Sequence, residues 1–83
     1  MQSYMVHFRR NTYTQISTDI IKKEQVRMEE LMKENIIQQV YMNKKMDNLW
    51  MIFTIENEDQ LRRIIHTLPM SKDLYFETSE LMG

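Results

Sequence analysis

The sequence predicts an α+β fold with the element order βαββαβ, and three observations carry that prediction. Leu49–Ile55 (LWMIFTI) is an apolar run of strand length, rich in β-formers. Just after it, Leu61, Ile64, Ile65 and Leu68 recur at helical spacing and stop at Pro69, the only proline. Near the start, Tyr4, Val6 and Phe8 alternate with Met5, His7 and Arg9, as in a strand with two unlike faces.

In chain order, the first strand covers Tyr4–Arg9, and Asn11–Ser17 is polar and turn-like. Ser17 or Thr18 caps a helix running to about Glu34, with Asp19 in its first turn near the positive helix end. The apolar stripe of that helix is Ile20, Ile21, Met28, Leu31 and Met32. Asn35 stops it, because asparagine tolerates the left-handed conformation of a helix end. Ile37–Met42 is the second strand, and the polar turn Asn43–Asn48 leads into Leu49–Ile55. The unbroken apolar character of Leu49–Ile55 predicts burial on both faces. Asn57 caps the second helix, Gln60 closes a capping box, and Glu58 and Asp59 suit the first turn. A last strand runs towards Leu81. Two strand–helix halves of this kind make a ferredoxin-like sheet: four antiparallel strands with both helices on one face.

Composition narrows the function classes. In a chain of 83 residues, a single core is only marginally stable, so association between copies is a favoured way to bury more surface. Eleven basic against twelve acidic residues give a net charge of −1, without the basic stripe a nucleic-acid binder needs. No apolar run is long enough to span a bilayer, and no charged-then-apolar signal segment opens the sequence. The absence of cysteine excludes a disulfide framework and thiolate metal sites, and fits a reducing cytoplasm. Two separated histidines without paired-ligand spacing give no support for a metal, and one glycine gives no phosphate-cradling loop, so no cofactor is expected. Nine methionines are many for this length; Met28, Met32 and Met51 fall at expected core positions, where thioethers fill irregular gaps.

The sheet's second face bears on assembly. If Val6, Phe8, Leu49, Met51, Phe53, Ile55, Leu74 and Phe76 face the helices, then His7, Arg9, Trp50, Ile52, Thr54, Tyr75 and Glu77 point away. That second set is too aromatic for water and too polar for a dry core. Two such sheets packed face to face would enclose a mixed cavity, the pattern of a dimeric α/β barrel.

With these elements placed, the C-terminal half resembles the muconolactone isomerase family. The resemblance rests on Phe53-Thr54-Ile55-Glu56-Asn57, Asp59-Gln60-Leu61, Ile64-Ile65, Leu68-Pro69 and Phe76-Glu77, with Glu24, Glu30 and Leu31 fitting loosely on the first helix. It implies a βαββαβ fold, association through the sheets, and isomerisation of a lactone in aromatic catabolism. There are departures. Tyr41-Met42 stands where the family carries a tryptophan–arginine pair, and His7 where it carries an arginine. Met70-Ser71-Lys72-Asp73 replaces an apolar, proline-containing segment, and the sequence stops at Gly83, before the family's extended tail. A lost cation for a substrate carboxylate argues against the family's own reaction.

Three carboxyl or imidazole groups stand out as proton carriers. Glu24 interrupts the apolar stripe between Ile20, Met28 and Leu31, where partial burial would raise its pKa towards that of a useful base. The plainer reading is a glutamate at the stripe's edge or in an ion pair. His7 and Glu77 share the helix-free face and could divide proton-transfer work, or simply be a hydrogen-bonded polar pair. Arg9, Tyr41, Trp50, Thr54 and Tyr75 are the candidate ligand-binding residues; the aromatic ones, with Tyr4, can stack on a flat ligand or pack between copies. His66 falls off the second helix's stripe and gets no active role, while Lys22-Lys23 and Arg62-Arg63 read as solvated pairs. Three functions stay open: a homo-oligomer binding a small ligand in a barrel cavity, an isomerase of the family type, and a structural or regulatory dimer without ligand.

Overall fold

The computed structural model describes residues 1–10, 15–45 and 47–82. Strand β1 (Gln2–Arg10) is followed by α1 (Thr18–Lys33), β2 (Ile37–Met42), β3 (Asn48–Ile55), α2 (Glu58–His66), a 3-10 turn (Ser71–Asp73) and β4 (Leu74–Leu81). The strands form one antiparallel sheet in the order β2-β3-β1-β4, the ferredoxin-like arrangement that the element order predicts. Of the predicted turn Asn11–Ser17, residues 11–14 lie outside the described residues, as does residue 46 in the turn before β3.

The core lies on one side of the sheet. Tyr4, Val6, Phe8, Met51, Phe53 and Ile55 project from the two central strands towards Leu31 of α1 and Leu61 and Ile65 of α2, all buried. Leu49, Leu74 and Phe76 pack partly buried against them. The expectation that β3 is buried on both faces is corrected: Met51, Phe53 and Ile55 are buried, whereas Trp50, Ile52 and Thr54 are only half-buried. Both helices cover the same face, and no other element among the described residues covers the opposite one. The α1 stripe is also narrower than expected. Ile21 and Met32 are 37 % and 44 % exposed, because only the line through Ile20, Glu24, Met28 and Leu31 meets the sheet.

Local chemistry explains the helix ends. The Ser17 hydroxyl accepts from the Ile20 amide at 3.3 Å, capping α1. Asn35, with φ 60°, is the one described non-glycine residue in the left-handed region, and it turns the chain from α1 into β2. Asn57 Oδ1 accepts from the Gln60 amide at 2.8 Å, as the cap predicts. The reciprocal bond differs from a standard capping box: Gln60 Oε1 accepts from the amide of Glu56, one residue earlier than Asn57, at 3.1 Å. The extended backbone of Asn57 places that earlier amide within reach.

Asn57→Ala removes the side-chain acceptor for the Gln60 amide and is expected to cost about 0.5–2 kcal/mol. Because α2 supplies Leu61 and Ile65 to the single core, the loss should lower the urea midpoint of the whole domain. An unmoved midpoint would mean that the cap contributes nothing to α2.

Candidate functional site

The helix-free face is organised in rows by the strand register. His7 on β1 lies opposite Trp50 on β3 and opposite Glu77 on β4, and Trp50 in turn lies opposite Tyr41 on β2. One row therefore crosses all four strands as Tyr41–Trp50–His7–Glu77. In the next row, Arg9 lies between Asn48 and Tyr75. Cross-strand partners on one face stand close enough for their side chains to touch.

A half-open cleft of about 240 Å³ sits over β1 and β4, lined by His7, Arg9, Tyr75, Phe76 and Glu77. The structure thus brings His7, Arg9, Tyr75 and Glu77 together. Trp50 adjoins them by stacking on the His7 ring, with centroids 4.9 Å apart and planes within 3° of parallel, an offset π contact. Tyr41 is on the same face but further along the row, 56 % exposed, its hydroxyl donating to Gln39 Oε1 at 2.6 Å. Thr54 shares the face of β3 with Trp50 but lies opposite Ser3, away from the cleft lining. Tyr4 is buried in the core on the opposite face, so stacking on a ligand over the helix-free face is closed to it.

Charge in the cleft is balanced but not internally consumed. Arg9 and Glu77 are both exposed, and the ion pairs among the described residues are Arg27–Glu30 and Arg62–Glu58, on the helices. Neither Arg9 nor Glu77 is in an ion pair among the described residues, so a guanidinium and a carboxylate both line the cleft. Among the described residues, no three His, Cys, Asp or Glu side chains are grouped so as to hold a metal ion.

Sequence reasoning missed the support behind His7. Its Nε2 lies 2.7 Å from Asn48 Oδ1, and Asn48 Nδ2 donates to Asp47 Oδ1 at 3.1 Å. Asn43 Nδ2 donates to the same Asp47 oxygen at 2.6 Å. Hydrogen bonds first from Asn43 and then from Asn48 hold the Asp47 carboxyl below its usual range, so it is ionised at neutral pH. The only available signal was the cluster of Asn and Asp in Asn43–Asn48, which reads as a turn because such side chains bond nearby backbone.

Glu24 is elsewhere. It lies on the helix side of the sheet, 5 % exposed, and its Oε2 accepts from the amide of Met70 at 2.9 Å. That bond ties α1 to the segment after Pro69, near where the Arg27 guanidinium donates to Thr67 Oγ1 at 3.1 Å. Burial raises the carboxyl pKa above its ordinary value near 4.5, and the Met70 amide partly offsets the rise.

The sign of the pH effect follows. Between the unfolded value and the higher folded one, native Glu24 keeps a proton that the unfolded chain has lost. Its contribution to stability is full below the unfolded value and is lost as pH rises through the folded value. Glu24→Gln retains an oxygen for the Met70 amide and has no charge to desolvate, so it should be neutral or stabilising at neutral pH. Glu24→Ala orphans the amide and should cost about 1–3 kcal/mol. Urea melts from acid to neutral pH check both; a glutamine variant less stable at neutral than at acid pH, relative to wild type, would reverse the assignment.

Comparison with known proteins agrees with the architecture. No curated protein matches the chain. The family described as muconolactone delta-isomerase matches residues 1–82, which takes in both helices and all four strands. The chain belongs to the muconolactone delta-isomerase family.

Proposed function

We propose that this protein binds a small, flat, anionic organic molecule on the helix-free face of its sheet, in a cavity completed by a second copy. The observation that carries the reading is the convergence of His7, Arg9, Tyr75 and Glu77 on one cleft, with Trp50 stacked behind His7. Arg9 supplies a guanidinium suited to a carboxylate, and Tyr75 and Trp50 supply aromatic surface for a planar body. Tyr75, 62 % exposed, and the half-buried Trp50 and Ile52 also make this face costly to leave in water. Covering apolar side chains of this size contributes roughly 1.5–3 kcal/mol each. Facing sheets related by a two-fold axis would bury them and close the half-open cleft.

A second reading goes further. His7 and Glu77 are direct cross-strand partners in the cleft, so an imidazole and a carboxylate face one ligand from adjacent strands. That arrangement suits removal of a proton from one carbon and its return to another, an isomerisation that needs no cofactor. The family's namesake acts on muconolactone, which makes a lactone carrying a carboxylate the natural first compound to try.

Sedimentation at micromolar concentration should show a dimer or larger species; a stable monomer rules out the closed cavity. Trp50 is the only tryptophan, so its fluorescence reports directly on the cleft. Titration with muconolactone and simple unsaturated acids should change that signal, and Arg9→Ala should weaken binding about ten- to a hundredfold. If muconolactone is turned over, His7→Gln or Glu77→Gln should slow the reaction about a hundredfold or more with binding retained. Binding without turnover keeps the first reading and removes the second.

A further inference from the structure

Two backbone amides decide how the polar turn is wired. The amides of Asp47 and Asn48 can only donate, and both point at Asn43 Oδ1, at 3.2 and 3.0 Å. The Asn43 side chain is therefore oriented with its NH₂ towards Asp47 Oδ1. That carboxylate oxygen accepts, so Asn48 must also offer it NH₂, and this leaves Asn48 Oδ1 facing the His7 ring. An amide oxygen accepts and never donates, so His7 Nε2 carries the hydrogen. The main-chain bond from the Arg10 amide to the Asp47 carbonyl, 2.9 Å, fastens the turn to β1 two strand positions beyond Arg9's neighbour Phe8.

We propose that Asn48, held by Asp47, is a positioning residue that fixes His7 as its Nε2–H tautomer and makes Nδ1 the nitrogen that accepts a proton in the cleft. The inference rests on the reading that His7 handles a proton there. The step balances without any further reactant. Nδ1 takes a proton from a ligand carbon, and the electrons of the broken C–H bond move into the ligand's conjugated system. The imidazolium then returns that proton from Nδ1 to a second carbon, and the double bond ends displaced. Throughout, Nε2–H stays bonded to Asn48 Oδ1, because that bond is equally available to imidazole and imidazolium. The ring stays stacked on Trp50 and gains charge without turning, while Asp47 keeps its hold on Asn48. Proton transfer in a site whose groups do not reorient avoids a reorganisation cost at the moment of reaction.

The test reads the tautomer itself. Protein labelled with ¹⁵N is examined by long-range proton–nitrogen correlation at a pH where the imidazole is neutral, with His66, exposed on α2, as the internal control. His7 should show protonated Nε2 and unprotonated Nδ1 alone. Asn48→Ala, with circular dichroism unchanged, should give a mixture of both tautomers at His7 and leave His66 as it was. A wild-type pattern with Nδ1 protonated, or an alanine variant identical to wild type, overturns the relay. Where turnover is measurable, Asn48→Ala should reduce it about tenfold or more without weakening ligand binding. The nitrogen spectra need no ligand, so a failure of the relay and a failure of the proposed function are read in separate experiments.

Discussion

The molecule depends on the register of β1. That strand is hydrogen-bonded along both edges, to β3 and to β4, and its side chains alternate between two environments that cannot be exchanged. Tyr4, Val6 and Phe8 enter the core while Met5, His7 and Arg9 go to the opposite face. A slip of one residue would drive an imidazole and a guanidinium under the helices and expel the aromatic core, so the apolar burial that folds the domain also aims the candidate site. Core and cleft are the two outputs of one alternation. Substitutions that loosen Phe8 against Phe76, whose rings lie 6.0 Å apart, act on the cleft from behind.

The cleft is organised unevenly. On the β3 side, His7 is clamped by a flat stack on Trp50 and by a chain of hydrogen bonds through Asn48 and Asp47 to Asn43. On the β4 side, Tyr75 and Glu77 are exposed. A site with one rigid wall and one open wall suits completion by another surface, since ordering the open side chains costs entropy that only a packed neighbour or a ligand offsets. In the proposed assembly the second sheet would supply that neighbour. The small core makes the same demand from the side of stability, because the helix-free face carries much of the aromatic surface that remains uncovered.

Much of this was legible in the sequence, and the reason is periodicity. The two-residue alternation of β1 and the spacing of Leu61, Ile64, Ile65 and Leu68 depend only on neighbours along the chain, and the cap at Asn57, the choice of Ser17 or Thr18 that settles on Ser17, and the stop at Asn35 follow equally local rules. What escaped was set at a distance. His7 and Asn48 are 41 positions apart, and Glu24 and Met70 are 46 apart, so no local pattern announces either bond. The apolar run of β3 suggested burial on both faces because its composition alone does not say which face the helices cover. Ile21 and Met32 misled for a related reason: apolar residues flanking a stripe look like part of it until the helix is rotated against a sheet.

The separation of Glu24 from the cleft is the strongest constraint on any chemistry here. Both looked like sites for a proton carrier in the sequence, yet the sheet lies between them. A ligand approaching Glu24 from the sheet side would have to enter between α1 and the strands, where Leu31, Phe53 and Ile65 are fully buried. The bond from Met70 to Glu24 would also have to break, leaving a part-buried main-chain amide without its partner. The cleft over β1 and β4 asks for neither sacrifice. Its proton-bearing groups are already at the surface, and the two demanding contacts of His7, to Trp50 and to Asn48, are compatible with both charge states of the ring. Through its bond from the Met70 amide, Glu24 joins α1 to the segment after α2. That bond lies on the helix side of the sheet, opposite the face that carries the cleft.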